Sequence, residues 1–227
     1  MDRIPRFSAF QRAFHWTYAG AFLVLLGTGL TFFVPALAPW NGPATRLVHR
    51  IAALVLIAAG LSYPLFARKE FLTDLHQMFH WPPTDRRWMV AGPAFYTTAR
   101  GHLPPQGRYN AGQKLNLWIQ MGAFVLFTVT GLVMWFGRGA VSPELFRWMV
   151  IGHDVGLIAA GGMFVVHFYL SVLHPYTRRS LEAMKTGSVS LAYAAEEHPL
   201  WLEEMGIGPR AAGDRPGRKR GGPAGHR

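Results

Sequence analysis

The chain contains no cysteine. This absence excludes iron–sulfur clusters held by this chain, haem attached through thioether bonds, and structural disulfides. Acidic residues are also scarce, with 12 Asp and Glu against 23 Lys and Arg, so the formal net charge is +11. A strongly basic chain can indicate nucleic-acid binding, but here the cations flank long uncharged stretches. Membrane topology therefore explains the charge better, and we expect no nucleic-acid partner.

The uncharged stretches are apolar along their whole length, which is typical of helices that cross a membrane lipid bilayer. A bilayer core of roughly 30 Å needs about 20 apolar residues per helix. Four stretches reach or approach that length, and the predicted helices cover about 14–34, 47–67, 115–137 and 150–175. The predicted fold class is an all-α integral membrane protein, a four-transmembrane-helix bundle in residues 1–205.

The Lys and Arg residues outside these helices or at their ends are distributed unevenly. One side holds Arg3, Arg6, Arg12, Arg68, Lys69, Arg86, Arg87, Arg100, Arg108, Lys114, Arg178, Arg179 and Lys185. The other side holds only Arg46, Arg50, Arg138 and Arg147. Because cytoplasmic loops carry the excess of cations, this asymmetry predicts a multi-pass protein with both termini and the central loop in the cytoplasm.

Three segments outside the predicted spans have their own patterns. Residues 71–79 place apolar side chains at helical spacing before Pro82 and Pro83, which predicts either an amphipathic interfacial helix or a helix packed on the protein surface. A short helix is expected from Gly187 through Glu197. Residues 206–227 are rich in Gly, Pro, Arg and Lys, which predicts a basic disordered cytoplasmic tail.

Four histidines lie within or beside the apolar stretches. His15 opens the first, His49 precedes the second, and His153 and His167 belong to the fourth. Neutral imidazole is the usual axial ligand of haem iron, and an ionisable ring inside a membrane usually marks function. Fourteen residues of α-helix rise roughly 21 Å and return to nearly the same azimuth, so His153 and His167 would face one way at two depths. Without cysteine, the haem would be of the non-covalent b type.

The direction of each predicted helix gives the depth of each histidine. His49 and His153 fall near the outer surface, and His15 and His167 near the inner one, so each pair would hold one haem. His174 is a competitor for His167 because it lies on nearly the same face, but it would separate the two irons by roughly 31 Å, and Pro175 indicates a helix-end role. The remaining histidines are expected at the surface: His76, His80, His102, His198 and His226.

Three segments resemble the cytochrome b, or gamma, subunit of respiratory formate dehydrogenases over roughly residues 7–205. The most specific is Gly107-Arg108-Tyr109-Asn110-Ala111-Gly112-Gln113-Lys114. It is followed by an apolar helix that ends Thr130-Gly131-Leu132-Val133-Met134-Trp135, and later by Gly187-Ser188-Val189 through Glu196-Glu197-His198-Pro199-Leu200-Trp201. The four histidines match as well, although their placement is shared with cytochromes b of nickel–iron hydrogenases.

The resemblance implies two b haems, an outer one held by His49 and His153 and an inner one held by His15 and His167. It also implies a quinone beside the inner haem, with Asn110 as the polar residue of the pocket and three neighbours at its mouth: Gly112, Gln113 and Lys114. A turn residue or a helix cap is the alternative role of Asn110. The implied function is transmembrane electron transfer, and the chain by itself would not oxidise formate.

The partners implied are an iron–sulfur subunit and a molybdenum or tungsten catalytic subunit on the periplasmic side of a bacterial cytoplasmic (inner) membrane. Two alternatives stay open from the sequence. The same architecture serves nickel–iron hydrogenases and other periplasmic oxidoreductases. A haem-free proton-coupled transporter would use the same histidines as a proton relay.

Overall fold

The computed structural model describes residues 3–98 and 102–207. The elements follow one another as β1 (Arg3–Pro5), α1 (Ala9–Phe33), α2 (Pro43–Phe66), α3 (Arg68–Phe79), α4 (Pro83–Thr98), α5 (Ala111–Phe136), α6 (Pro143–Phe168), α7 (Leu181–Thr186), β2 (Ser188–Ser190), α8 (Leu191–Glu197) and α9 (Pro199–Glu204). A 3₁₀ segment, Pro35–Trp40, joins α1 to α2, and a π-helical turn, Tyr169–Leu173, prolongs α6.

The four long helices α1, α2, α5 and α6 are long and apolar enough to cross a membrane. This result confirms the predicted fold class, but each helix begins several residues before its predicted start. Helix starts are set by capping rather than by hydropathy, and the first turns here are polar. Ser8, Asn110 and Ser142 cap α1, α5 and α6, each by accepting a hydrogen bond from the backbone N–H three residues on. Arg46 and Arg147, expected outside the helices, therefore lie inside them.

The four spanning helices pack as two hairpins. Helix α1 packs along α2, and α5 packs along α6, whereas contacts between the hairpins are fewer. The buried residues between them form a small central core of Ala21, Phe22, Leu56, Ala123 and Ala160. Most other apolar side chains of these helices point outward, as expected of surfaces that face lipid. Space for a ligand therefore lies between the hairpins rather than within either one.

Both ends of the described chain lie at one end of the bundle, which we call the terminal end. Strand β1 pairs with β2 in an antiparallel ladder, with Ile4 opposite Val189. The two strands cover a small core formed with α7, α8 and α9: Ile4, Ala183, Val189, Tyr193, Ala194, Trp201 and Leu202. The opposite end of the bundle carries Pro35–Trp40 and is called the loop end.

The terminal end differs in part from the sequence predictions. The helix predicted at residues 71–79 is present as α3, but Pro83 begins α4 rather than only ending α3, and α4 was not predicted. The helix expected from Gly187 is a strand followed by α8, because Gly187 adopts a φ of 85° that interrupts the helix. The predicted tail lies outside the described residues, apart from positions 206 and 207.

Asp74 of α3 holds several elements together at the terminal end. Its carboxylate accepts hydrogen bonds from the Tyr63 hydroxyl, the Tyr109 hydroxyl (2.9 Å) and the Gln11 amide (2.9 Å), and Arg108 lies 3.7 Å away. We call these five residues the Asp74 cluster. Burial, with the nearby carboxylate as a further cause, raises the pKa of Tyr109 well above its usual value, so the phenol remains a hydrogen-bond donor. The cluster joins α1, α2, α3 and the loop before α5.

A buried ion pair fixes the start of α5 against α4. The Lys114 ammonium donates to the Asp85 carboxylate at 2.5 Å and to the His80 carbonyl at 2.8 Å. The side chains of Lys114 and Asp85 are only 6% and 1% exposed. Removing one partner of such a pair leaves an uncompensated buried charge, which makes the pair a strong structural constraint.

Replacing Lys114 with Met should therefore destabilise the protein by about 3 kcal/mol, because Asp85 would remain buried without its cation. Thermal unfolding in detergent, followed by tryptophan fluorescence, measures the change. The double variant Asp85→Leu/Lys114→Met is the matched control and should recover most of the loss, since it removes both charges. Equal stability of Lys114→Met and the unsubstituted protein would show that the pair is not a structural constraint.

Candidate functional site

The structure brings the four histidines together as two pairs. At the loop end, the ring centres of His49 on α2 and His153 on α6 are 6.4 Å apart. At the terminal end, the ring centres of His15 on α1 and His167 on α6 are also 6.4 Å apart. We call these the loop-end pair and the terminal-end pair. Each pair bridges the two helix hairpins, and α6 contributes one ring to both.

This separation matches two imidazoles that bind one metal ion from opposite sides. An imidazole nitrogen binds a metal at about 2.0 Å and the ring centre lies about 1.1 Å behind it, so ring centres would be about 6.3 Å apart. Groups of three or more His, Cys, Asp or Glu suited to a metal ion are absent among residues 3–98 and 102–207. Each pair thus offers two ligands, and a haem, whose macrocycle supplies the other four, fits this donor set.

A cavity of about 410 Å³ adjoins the loop-end pair and lies between the hairpins. Its lining is mainly apolar, and Gly29 and Gly131 lie beside the two rings. A Cβ atom at either glycine would come 3.7 Å from the Cε1 atom of His49 or His153, so the glycines keep the cavity wall flat next to the rings. An apolar wall with few polar groups is typical of a cofactor pocket.

Hydroxyl groups contact both rings of the loop-end pair. Thr28 Oγ1 lies 2.7 Å from His49 Nδ1, and Thr130 Oγ1 lies 2.8 Å from His153 Nδ1. These threonines were missed as site residues in the sequence, although the tripeptide Thr-Gly-Leu occurs at 28–30 and again at 130–132. The recurrence is a signal that could have identified them, because it places a hydroxyl and a glycine beside each histidine.

The terminal-end pair has a different environment. His15 Nδ1 is buried and has no hydrogen-bond partner among the described residues, and His167 Nδ1 lies 3.5 Å from Ser171 Oγ, at the limit of a hydrogen bond. Gln11 is one turn before His15 in α1 and belongs to the Asp74 cluster, so that cluster lies close to this pair. The two pairs therefore share a ring separation but not a hydrogen-bond pattern.

The competing histidine, His174, does not face His15. It follows the π-helical turn, is 4% exposed, and packs against Tyr96 and Tyr169. Its Nδ1 atom lies 3.1 Å from Thr177 Oγ1. These contacts match the helix-end role expected from Pro175, while His167 takes the position opposite His15.

The surface location expected for His198 is wrong. The residue is 1% exposed, and its Nδ1–H donates to the Gly107 carbonyl at 2.7 Å while Tyr193 and Trp201 pack on the ring. Burial, with nearby Arg6 as a second cause, lowers the pKa of His198 to about 3, so it is neutral. The sequence did not reveal this role because its partner lies 91 residues away. His76, His80 and His102 are exposed as expected, and His226 lies outside the described residues.

Asn110 caps α5, which is the structural role that the sequence left open as an alternative. Its side-chain oxygen accepts from the Gln113 N–H, and the Gln113 side chain accepts from the Asn110 N–H. The capping box uses the oxygen of Asn110 and leaves its amide NH₂ outside the box. Asn110 also lines a cavity of about 160 Å³ at the terminal end, together with Trp88, Leu103, Pro104, Pro105, Gln106, Glu196, Glu197 and Pro199.

The neighbours of Asn110 have packing roles of their own. Gly112 faces Trp88 so closely that an added Cβ would lie 2.6 Å from the indole ring, and Gln113 completes the capping box. Lys114 is held in the buried ion pair with Asp85. Of the four residues predicted at the quinone pocket, Asn110 is the one that lines a described cavity.

Comparisons with known proteins agree with this architecture. Residues 6–187 match the model of the family described as prokaryotic cytochrome b561. The chain is similar to the formate dehydrogenase cytochrome b556(fdo) subunit of Escherichia coli strain K12, at 26% identity over 90% of this chain and 94% of that protein. It is also similar to the nitrate-inducible formate dehydrogenase cytochrome b556(Fdn) subunit of the same strain, at 26% identity over 89% of this chain and 91% of that protein.

A third relative is the formate dehydrogenase cytochrome b556 subunit of Haemophilus influenzae, at 24% identity over 89% of this chain and 83% of that protein. The family match covers most of the chain, including all four paired histidines and all four spanning helices. Members of this family are helical membrane bundles that bind haem and transfer electrons. The chain belongs to this family, prokaryotic cytochrome b561.

Proposed function

We propose that the chain is the dihaem cytochrome b subunit of a membrane-bound formate dehydrogenase complex. The observation that carries the proposal is the presence of two histidine pairs, at opposite ends of one bundle, with equal ring separations of 6.4 Å. Relatives that align along nearly their whole length and carry the name formate dehydrogenase support the choice of complex.

The proposed axial ligands are His49 and His153 for one b haem and His15 and His167 for the other. Each haem, when bound, supplies one-electron chemistry that the polypeptide lacks. Arg46 and Arg50 are among the residues that line the loop-end cavity, and their side chains would pair with the carboxylates of the bound group. Most of the other lining residues are apolar and would limit the access of water.

Electrons would enter at the loop-end pair, from an iron–sulfur subunit, and leave at the terminal-end pair. A molybdenum or tungsten subunit would oxidise formate upstream. Trp40 is 72% exposed at the loop end and offers the kind of aromatic surface that a partner subunit would cover. His153 and His167 belong to the same unbroken helix, which sets their distance at roughly 21 Å along the axis.

Quinone is the proposed electron acceptor, at the terminal end beside Asn110. Hydrogen bonds extend from this region to within one helical turn of the terminal-end pair: Tyr109 donates to Asp74, which also accepts from Gln11, four residues before His15. Gly112, Gln113 and Lys114 would support the pocket through packing, capping and the buried ion pair. The amide of Asn110 would donate a hydrogen bond to a quinone carbonyl as negative charge develops there.

The proposed location is a bacterial cytoplasmic membrane with both termini in the cytoplasm. The strand pairing of β1 with β2 supports a common side for the two ends of the described chain, and the cation excess supports the choice of that side. With this orientation, electrons move inward and protons for quinone reduction come from the cytoplasm.

Replacing one ligand should remove one haem and leave the other. In His49→Ala the loop-end haem should be lost, and in His167→Ala the terminal-end haem, so purified protein should contain one b haem in place of two. The measurement is the reduced-minus-oxidised spectrum combined with extracted haem per chain. His174→Ala is the matched control and should keep both haems, because that ring packs against tyrosines rather than against His15.

Loss of a haem in His174→Ala together with full retention in His167→Ala would reverse the assignment of the terminal-end ligand. An unsubstituted protein without any b-type spectrum would instead support a haem-free transporter.

Reporter fusions test the orientation. A cytoplasm-active reporter should work after Arg179 and within residues 85–98, and a periplasm-active reporter should work within Pro39–Thr45, because the cations concentrate at the terminal end. Activities of paired reporters at each position give the measurement. A periplasm-active reporter that works after Arg179 would invert the proposed direction of electron flow.

Substitution of Asn110 tests the quinone pocket. In Asn110→Ala both haems should still bind, while their reoxidation by added quinone slows about tenfold, since a lost hydrogen bond to a developing charge costs about 1.5 kcal/mol. Stopped-flow absorbance measures the reoxidation. Asn110→Asp keeps a capping oxygen for α5 but lacks the amide donor, so it should be slow as well. Normal reoxidation in Asn110→Asp would leave Asn110 with the role of helix cap alone.

A further inference from the structure

The hydrogen bonds at the loop-end pair fix which nitrogen of each ring carries the proton. The Thr28 hydroxyl donates its single hydrogen to the Val24 carbonyl at 2.7 Å, and the Thr130 hydroxyl donates to the Leu126 carbonyl at 2.6 Å. Each hydroxyl can then only accept from the histidine ring. His49 and His153 therefore carry their protons on Nδ1, and Nε2 keeps the lone pair that binds a metal.

Both helix hairpins build this arrangement in the same way. The Thr-Gly-Leu tripeptide of α1 reaches the histidine of α2, and the same tripeptide of α5 reaches the histidine of α6. In each case the threonine contacts the ring at 2.7 to 2.8 Å and the glycine lies next to Cε1. Two independent hairpins thus supply one hydrogen-bond acceptor to each ligand of a single site.

The terminal-end pair lacks this support. Within residues 3–98 and 102–207, His15 Nδ1 has no hydrogen-bond partner, and His167 Nδ1 has only the 3.5 Å contact with Ser171. A hydrogen bond from Nδ1–H increases the electron donation of an imidazole ligand to its metal. Stronger donation stabilises oxidised iron relative to reduced iron and so lowers the reduction potential. The two pairs therefore differ in a contact that would affect the reduction potential of a bound haem.

We propose that Thr28 and Thr130 are positioning residues that fix both axial ligands of the loop-end haem and lower its reduction potential below that of the terminal-end haem. The difference makes electron transfer from the loop end to the terminal end favourable. The inference rests on the proposed function, because it requires one haem at each pair. It adds a specific role for two hydroxyl groups that contact neither the iron nor the quinone.

The test is a redox titration of the purified protein carrying Thr28→Val, Thr130→Val or both. Valine keeps the shape of threonine but cannot accept a hydrogen bond, so the loop-end potential should rise. In the double variant the electron distribution between the haems should shift about tenfold toward the loop end, which is about 59 mV for one electron. The paramagnetic resonance signal of the oxidised loop-end haem should shift as well, and the terminal-end signal should stay. The single-haem variants His49→Ala and His167→Ala assign each signal.

Thr31→Val is the matched control. Thr31 lies one turn after Thr28 on α1, and its hydroxyl donates to the Thr28 carbonyl at 2.7 Å, not to a histidine. Its loss should leave both potentials unchanged. The conservative variants Thr28→Ser and Thr130→Ser keep the hydroxyl and should have the unsubstituted potential.

The outcomes separate the inference from the proposed function. If every protein binds two haems and the loop-end potential is unchanged in the valine variants, the inference is wrong but the proposed function stands. Absence of two haems from the unsubstituted protein would overturn the proposed function. If the valine variants lose the loop-end haem, the serine variants distinguish the two explanations. Serine variants that retain the loop-end haem at its original potential would support the role of the hydroxyl. Serine variants that also lose this haem would contradict it.

Discussion

The structure depends on the facing histidine rings that link two helix hairpins. These hairpins make few direct contacts with each other. At each end of the bundle, one ring from the α1–α2 hairpin faces one ring from α6 across 6.4 Å. Without a strong hydrophobic driving force between helices in lipid, close packing and polar contacts must hold a bundle together. The central core is small, so ligation across the gap would join the hairpins more firmly than packing does. Cofactor binding would then also determine the stability of the bundle.

Helix α6 has a particular place in this arrangement because it contributes a histidine ring to both pairs. The fourteen residues between His153 and His167 form unbroken helix, so their distance is set by backbone hydrogen bonds and not by how the hairpins pack. Relative movement of the hairpins would change ring separation within a pair but not the distance between pairs. Under the proposed function, haem ligation and the electron-transfer distance would therefore be controlled by different parts of the molecule.

Much of the membrane part could be predicted from sequence because lipid imposes simple rules. Apolar length identified four helices, and helix direction paired the histidines by depth. The helix starts were misplaced because capping residues, not hydropathy, set them. The terminal end was harder to predict: His198 donates a hydrogen bond to a carbonyl 91 positions away, and β1 pairs with residues near the other end of the described chain. Such contacts leave no local pattern. The threonines at the loop-end pair did leave one, in a repeated tripeptide.

The pairing of β1 with β2 also has a consequence for how the protein is made. Residues 3–5 leave the ribosome first, but residues 188–190 emerge only after all four spanning helices. Until then, the amino-terminal strand has no partner, and the small core that it covers cannot form. The loop end needs no such late segment, since its rings and threonines lie between residues 28 and 153. In synthesis order, the rings and threonines of the loop-end pair are therefore all present before the terminal end can close.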